Sequence, residues 1–185
     1  MVISKDMKKR ALIALCIYLV CLIWVISLKC NMTGTIAETR YFMGKMTLAE
    51  RFTYSMSVIL TPDDSDVIVN LILFLPVGLM APFIFDRGAF FKTIALSAIL
   101  SAGLEIMQII SCVGFFTYSD IVINTLGGVI GGAIHLLARK RATEKITNIL
   151  IIVFIIIASG IAVFGIFNTI RFFDVYVTDD LYKYL

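Results

Sequence analysis

One face of an apolar stretch in this chain carries a stripe of polar side chains. Ser97, Ser101, Glu105, Gln108 and Cys112 follow one another at steps of four, four, three and four residues, which places them on one side of a helix. Polar groups within apolar helices are costly and usually mark function or a packed polar network. The stripe therefore predicts either a polar site or a set of contacts between helices.

A second stripe begins the next apolar stretch. Asp120 and Asn124 open it, and glycines and His135 continue it at steps of three or four. Its glycines form small-xxx-small pairs, which allow two helices to approach closely. The pairs are Gly127 with Gly131 and Gly128 with Gly132.

The preceding apolar stretch adds Asn70 near its start. Pro76 removes a backbone donor from that stretch and should kink it, and Gly78 follows as a packing residue. The three stretches together predict one polar ligand site that opens toward the outer leaflet. Its members are Asn70, Glu105, Gln108, Asp120 and Asn124.

Two carboxyl groups at one depth could act as an acid and a base, and the oxygen atoms could hold a hard cation. The sequence offers no evident nucleophile, no histidine base and no complete metal-ligand set. We predict no catalytic residue, no metal and no cofactor. The alternative is that the five side chains only satisfy each other across helices.

The elements that position these residues follow from composition. The chain has 185 residues, of which 60% are hydrophobic and 16% charged, and its mean hydropathy is +0.98. Soluble domains have about 45–50% apolar and about 25% charged residues, so a water-soluble globule is excluded. The sequence predicts an all-α polytopic membrane helix bundle, residues 1–185, with five transmembrane helices of about 20 residues each. They are Ala11–Leu28, Val67–Phe85, Thr93–Val113, Ile121–Ala138 and Asn148–Asn168.

Basic residues set the orientation. Clusters at Lys8–Arg10 and Arg139–Arg141 flank apolar stretches, and cytoplasmic segments are enriched in such residues. We therefore expect the N-terminus inside and the C-terminus outside. The formal net charge is only +3, and its basic residues do not form one patch, so nucleic acid is not expected as a partner.

The segment 29–66 is then extracytoplasmic. Thr47 and Glu50 have the spacing of a capping box, and Phe52 and Met56 follow at helical spacing. This predicts a short amphipathic helix on the outer membrane surface, with a plain connector as the alternative. No C-x-x-C pair is present, and we expect Cys30 and Cys112 to be free thiols.

Three segments give the sequence a family resemblance: Asn70–Gly78, Glu105–Gln108 and Asp120–Gly128. In order and spacing they resemble the VanZ-like family of bacterial membrane proteins over about residues 70–132. The resemblance implies a multi-pass protein of the cell membrane, in Gram-positive bacteria, with an association with reduced teicoplanin susceptibility. The chain departs from the family at 114–119, where members often carry an Arg and additional Asp residues.

These observations favour a non-enzymatic membrane protein. Its expected partners are membrane lipids, a lipoglycopeptide or a cell-wall precursor, each with an apolar chain for the helices and a polar head for Glu105 and Asp120. Two alternatives stay open at this point. One is a membrane enzyme acting on a lipid or cell-wall precursor head group, and the other is a small transporter.

Overall fold

A computed structural model describes residues 5–29, 41–57, 64–85, 87–112, 114–139, 148–149, 151–160, 163 and 167. Its longer helices are α1 (Lys5–Lys29), α2 (Leu48–Ser57), α3 (Asp64–Ile84), α4 (Ala89–Ser111) and α5 (Tyr118–Arg139), and a shorter apolar helix, α6, spans Ile151–Gly160. The described residues contain no strand. The all-α fold class predicted from the sequence is confirmed.

Three of the described helices are long and apolar enough to cross a membrane, by length and composition. They are Val67–Ile84, Ala89–Ser111 and Tyr118–Ala138, which correspond to the second, third and fourth predicted spans. The fifth predicted span, Asn148–Asn168, lies partly outside the described residues. The five-helix count and the orientation stay predictions.

The apolar core lies where α1, α3 and α6 meet. Tyr18 and Leu22 of α1 and Phe74 and Val77 of α3 are fully buried there, together with Phe154 of α6. The rings of Tyr18 and Phe154 lie 5.1 Å apart, in a tilted arrangement. Long side chains fill this interface, so the three helices are held apart by their side chains.

Helix α3 continues through two prolines, Pro76 and Pro82. Proline cannot donate its backbone hydrogen bond, and neighbouring helices can supply donors to the weakened turn. The hydroxyl of Tyr18 donates to the carbonyl of Leu73, and Nδ1 of His135 lies 3.0 Å from the carbonyl of Leu79. Both carbonyls lie three residues before a proline, so α1 and α5 each support one of these turns.

His135 is buried at the interface between α5 and α3. A carbonyl oxygen only accepts, so Nδ1 carries the proton and donates to Leu79. The imidazole also packs edge-on against Phe83, with ring centres 4.3 Å apart. His135 therefore connects α5 to α3.

Helix α4 has left-handed backbone at both ends. Gly88 precedes it with a φ of 66°, and Cys112 ends it with a φ of 56°. The backbone N–H of Cys112 donates to the carbonyls of Gln108 and Ile109, which closes the last turn. The Cys112 thiol is free, whereas Cys30, the other predicted free thiol, lies outside the described residues.

Candidate functional site

Glycine-rich contacts bring α3 and α5 together with almost no side chain between them. A Cβ atom built on Gly78 would lie 2.8 Å from the Cα of Gly131, closer than real Cβ atoms approach other atoms. A Cβ on Gly127 would collide with the carbonyl oxygen of Leu71, and one on Gly131 with that of Leu75. The two helices therefore run parallel, backbone against backbone.

The other glycine pair of α5 faces α4. A Cβ on Gly128 would lie 2.6 Å from the Cβ of Ser97, and one on Gly132 would lie 3.2 Å from the ring of Phe90. Since the Cβ positions of Gly127 and Gly131 face α3, each small-xxx-small pair turns its Cβ side to a different helix. Helix α5 is thus held closely by two neighbours at once.

The polar stripe of α4 points into this three-helix interface. Thr93, Ser97 and Ser101 are fully buried, and Glu105 is 2% exposed. The hydroxyl of Ser101 accepts a hydrogen bond of 2.8 Å from Nδ2 of Asn124. A direct bond between α4 and α5 therefore lies one turn from the carboxyl group.

Glu105 holds the loop that joins α4 to α5. Its Oε2 accepts a hydrogen bond of 2.7 Å from the backbone N–H of Thr117. The Thr117 hydroxyl donates to the carbonyl of Phe115 within the same loop. The buried carboxyl group therefore fixes the position of this loop.

The remaining predicted site residues divide into a buried and a more exposed group. Asn70 of α3 and Asn124 of α5 are 4% and 3% exposed. Gln108 and Asp120 are only partly buried, and the Gln108 side chain lies against Gly114 of the loop. The structure therefore places Ser101, Glu105 and Asn124 together in the interior, with Gln108 and Asp120 nearer the surface.

The electrostatics of this site are those of a carboxyl group among hydroxyl and amide groups. Within the described residues, no group of three or more His, Cys, Asp or Glu side chains could hold a metal ion. The groups present can donate and accept hydrogen bonds. They are suited to a polar head group at the edge of an apolar bundle.

Sequence reasoning missed the role of Arg51. This residue of α2 donates from Nε to the carbonyls of Met43 and Met46, at 2.8 and 3.1 Å. Its Nη1 donates to the carbonyls of Ile109 and Ile110, at 3.4 and 3.3 Å. The guanidinium therefore lies at the carboxyl end of α4, where the helix dipole favours a cation.

Residues 41–57, which we call the cap segment, cover the same end of the bundle. The capping box predicted for it is confirmed: Thr47 donates to the Glu50 carboxylate, and the Glu50 N–H donates to the Thr47 hydroxyl at 3.3 Å. Aromatic rings join the cap segment to the loop after α4. The contacts pair Phe52 with Phe116 at 5.5 Å and Tyr54 with Phe115 at 5.8 Å.

No sequence periodicity could have revealed these cap contacts, because they join residues more than 50 positions apart. The capping box located the helix, and Phe52 was the one member of these aromatic pairs in its predicted amphipathic pattern. Only the fold shows that this helix packs against α4 and its loop. Its predicted place on the outer membrane surface stays a prediction.

Long apolar helices around buried polar groups define the class of this chain, which is a helical membrane protein. The family model of VanZ/LLP1 matches residues 15–139. Protein VanZ of Enterococcus faecium is 31% identical over 136 residues, which cover 74% of this chain and 78% of that protein. The chain therefore belongs to the VanZ/LLP1 family, and the resemblance seen over residues 70–132 is confirmed. No solved structure gives a significant match.

Proposed function

We propose that this protein is a multi-pass protein of the bacterial cell membrane that binds a lipid or a lipid-tailed molecule at the outer leaflet. Its polar ligand site comprises Asn70, Glu105, Gln108, Asp120 and Asn124. Binding there lowers the susceptibility of the cell to teicoplanin, a lipid-tailed glycopeptide. The membership of the VanZ/LLP1 family supports this assignment.

The observation that carries the proposal is the environment of Glu105. Its carboxyl group is 2% exposed between apolar helices, yet it is held in a fixed place by the Thr117 N–H. Helix contacts in membranes can be made with hydroxyl and amide groups alone, as Ser101 and Asn124 make theirs. A carboxyl group beside them is explained better by a polar ligand.

The polar head would meet this region at its edge. Gln108 and Asp120 are partly exposed, so they are the members that a ligand can reach first. Glu105 and Asn124, which lie deeper in the bundle, would then receive the head group behind them. Binding rather than catalysis is the expected activity, because the site offers positions for hydrogen bonds but no nucleophile.

The experiment compares resistance in a susceptible Gram-positive host. We expect the parent protein to raise tolerance to teicoplanin more than to vancomycin, because only teicoplanin has a lipid tail. Glu105→Gln and Asp120→Asn keep the shape and remove the potential charge, and each should abolish the gain at matched expression. Asp6→Asn is the matched control, since Asp6 is an exposed carboxylate in the first turn of α1.

Equal protection by the parent and both isosteric variants would reject the charged site. The polar groups would then serve only the contacts between α4, α5 and their loop. No protection by the parent itself would place this chain outside the resistance role. Membrane fractionation and immunoblotting of each variant ensure that lost protection is not lost protein.

A further inference from the structure

A cavity of about 560 Å³ lies between α2 and the last turns of α4. We call it the α2–α4 groove. Its volume falls in the range of about 300–1,000 Å³ that is typical of small-molecule sites. All of its walls are apolar, and they are formed by Leu48, Ala49, Phe52, Ile106, Ile109 and Ile110.

The groove is open to the surroundings of the bundle. Ile106 and Ile110 are 51% and 57% exposed, although Ile109 between them is buried. Because its walls on α4 run from Ile106 to Ile110, the groove extends about 6 Å along that helix. A flexible apolar chain can therefore enter it from the side.

A cation with open hydrogen-bond donors lies at one end of the groove. Arg51 precedes the wall residue Phe52, and its Nη1 donates to the carbonyls of Ile109 and Ile110. A guanidinium carries five N–H donors. Its Nε and Nη1 are engaged, whereas Nη2 has no acceptor among the residues that the structure describes.

The cap segment itself has a net positive charge. The cap segment carries two cations, Lys45 and Arg51, and one carboxylate, Glu50. The Glu50 carboxylate faces the N–H and hydroxyl of Thr47. The N–H donors of Nη2 can meet a phosphate oxygen, and the positive charge favours an anionic lipid over a zwitterionic one.

We propose that the α2–α4 groove holds one acyl chain of an anionic phospholipid, whose phosphate binds Arg51. The inference goes beyond the proposed function, because it places a lipid head group on Arg51, outside the polar ligand site of Asn70, Glu105, Gln108, Asp120 and Asn124. Apolar walls take the chain, and the charged end selects the head group. The lipid of the bilayer itself is the ligand.

The test uses the full-length protein in phosphatidylcholine vesicles. Trace phosphatidylglycerol or phosphatidylcholine, each spin-labelled near the end of one acyl chain, reports immobilised lipid by electron paramagnetic resonance. We expect the immobilised fraction of the phosphatidylglycerol probe to exceed that of the phosphatidylcholine probe about fivefold, the effect of one basic side chain near an anionic lipid. Equal fractions for the two probes would overturn the proposal.

Two substitutions on one helix locate the bound chain. Ile106→Trp places a large ring in the groove and should remove the preference for phosphatidylglycerol. Ile99→Trp is the matched control, because Ile99 lies on α4 away from the groove and is 70% exposed. An Ile106→Trp protein that immobilises the probe as the Ile99→Trp protein does would reject the groove. Dimers lost in Ile106→Trp, with no lipid preference in the parent, would assign the groove to a second copy of the chain and also reject the proposal.

Two substitutions test whether the positive charge of Arg51 selects the lipid. Arg51→Gln should reduce the ratio between the two probes to about one, and Arg51→Lys should keep most of it. Arg51 also joins α2 to α4, so thermal unfolding is measured for both variants. Should Arg51→Gln fail to fold, the probe ratio of Arg51→Lys and the Ile106→Trp comparison decide the question.

The groove and the proposed function can fail separately. The groove alone would be rejected if the parent gave teicoplanin tolerance, Glu105→Gln lost that tolerance, and the parent showed no preference for phosphatidylglycerol. The groove would be supported and the resistance role rejected if the parent preferred phosphatidylglycerol, Ile106→Trp lost that preference, and the parent gave no teicoplanin tolerance.

Discussion

The two interfaces of α3 are built from opposite kinds of residue. Toward α1 and α6, α3 presents Phe74 and Val77, and long apolar side chains fill the space. Toward α5, it presents Gly78 and the bare carbonyls of Leu71 and Leu75 to glycines. One helix therefore uses large side chains on one face and almost none on the other.

The difference has a physical reason in a membrane. Lipid tails are as apolar as leucine, so burying an apolar side chain between helices gains mainly van der Waals contact. Long side chains gain it by interdigitating, and glycines gain it by close backbone approach. Both interfaces nevertheless contain a polar contact with a carbonyl of α3: Tyr18 donates to Leu73 on the apolar side, and His135 donates to Leu79 on the glycine side.

The largest effect is expected at the glycine contacts. Gly131→Ala adds only a Cβ atom, but that atom would lie 2.9 Å from the Cα of Gly78. We expect a loss of about 3 kcal/mol in the free energy of unfolding, because neither backbone can move without shifting a helix. Thermal unfolding of the purified protein in detergent measures it.

Gly103→Ala is the control for that measurement. Gly103 lies on α4 with nothing within 4 Å of its Cβ position, so alanine should stabilise the helix by about 0.5–1 kcal/mol. If Gly131→Ala and Gly103→Ala changed the free energy of unfolding in the same direction, the close contact between α3 and α5 would be contradicted.

The next effect is expected at the bond between Glu105 of α4 and the loop before α5, which lies outside both interfaces of α3. Glu105→Leu removes the acceptor of the Thr117 N–H and should destabilise the protein by about 2 kcal/mol, because a partly buried donor loses its partner. Glu105→Gln keeps an acceptor oxygen and should lose less than half as much. Equal losses in the two variants, measured by chemical denaturation, would show that the loop does not depend on this bond.

A smaller effect is expected at the apolar interface. Tyr18→Phe keeps the ring packed on Phe154 and removes only the hydroxyl that donates to Leu73. The loss should be about 0.6 kcal/mol, the average for a hydrogen bond between membrane helices. Tyr118→Phe, at a ring that is 64% exposed, is the control and should leave the melting temperature unchanged.

The smallest effect on stability is expected in the cap segment, which belongs to neither interface of α3. The backbone N–H and then the hydroxyl of Thr47 lower the pKa of the Glu50 carboxyl group below its usual value. A lowered folded-state pKa adds stability above the unfolded-state pKa, and this stability is lost as the pH falls through the folded-state value. The parent should therefore lose slightly more stability than Glu50→Ala between pH 7 and pH 3. Identical pH profiles would show that the capping box adds nothing measurable.

The sequence determined the elements and most of the candidate site residues. Apolar length located α3, α4 and α5, and the Thr47 and Glu50 pattern located the start of α2. The steps of three and four placed Ser101 and Glu105 on one helix face, because helical periodicity is a local property of the chain. The family could be recognised from short motifs on those same helices.

The tertiary structure decided which faces meet. Four glycines of α5 have equivalent spacing in the sequence, yet the Cβ positions of Gly127 and Gly131 face α3 while those of Gly128 and Gly132 face α4. Arg51 lies 58 residues from Ile109, whose carbonyl it binds at the end of α4. Such contacts depend on the rotation and height of each helix against its neighbours, and the energy of packing whole helices sets these quantities rather than the residues of any one segment.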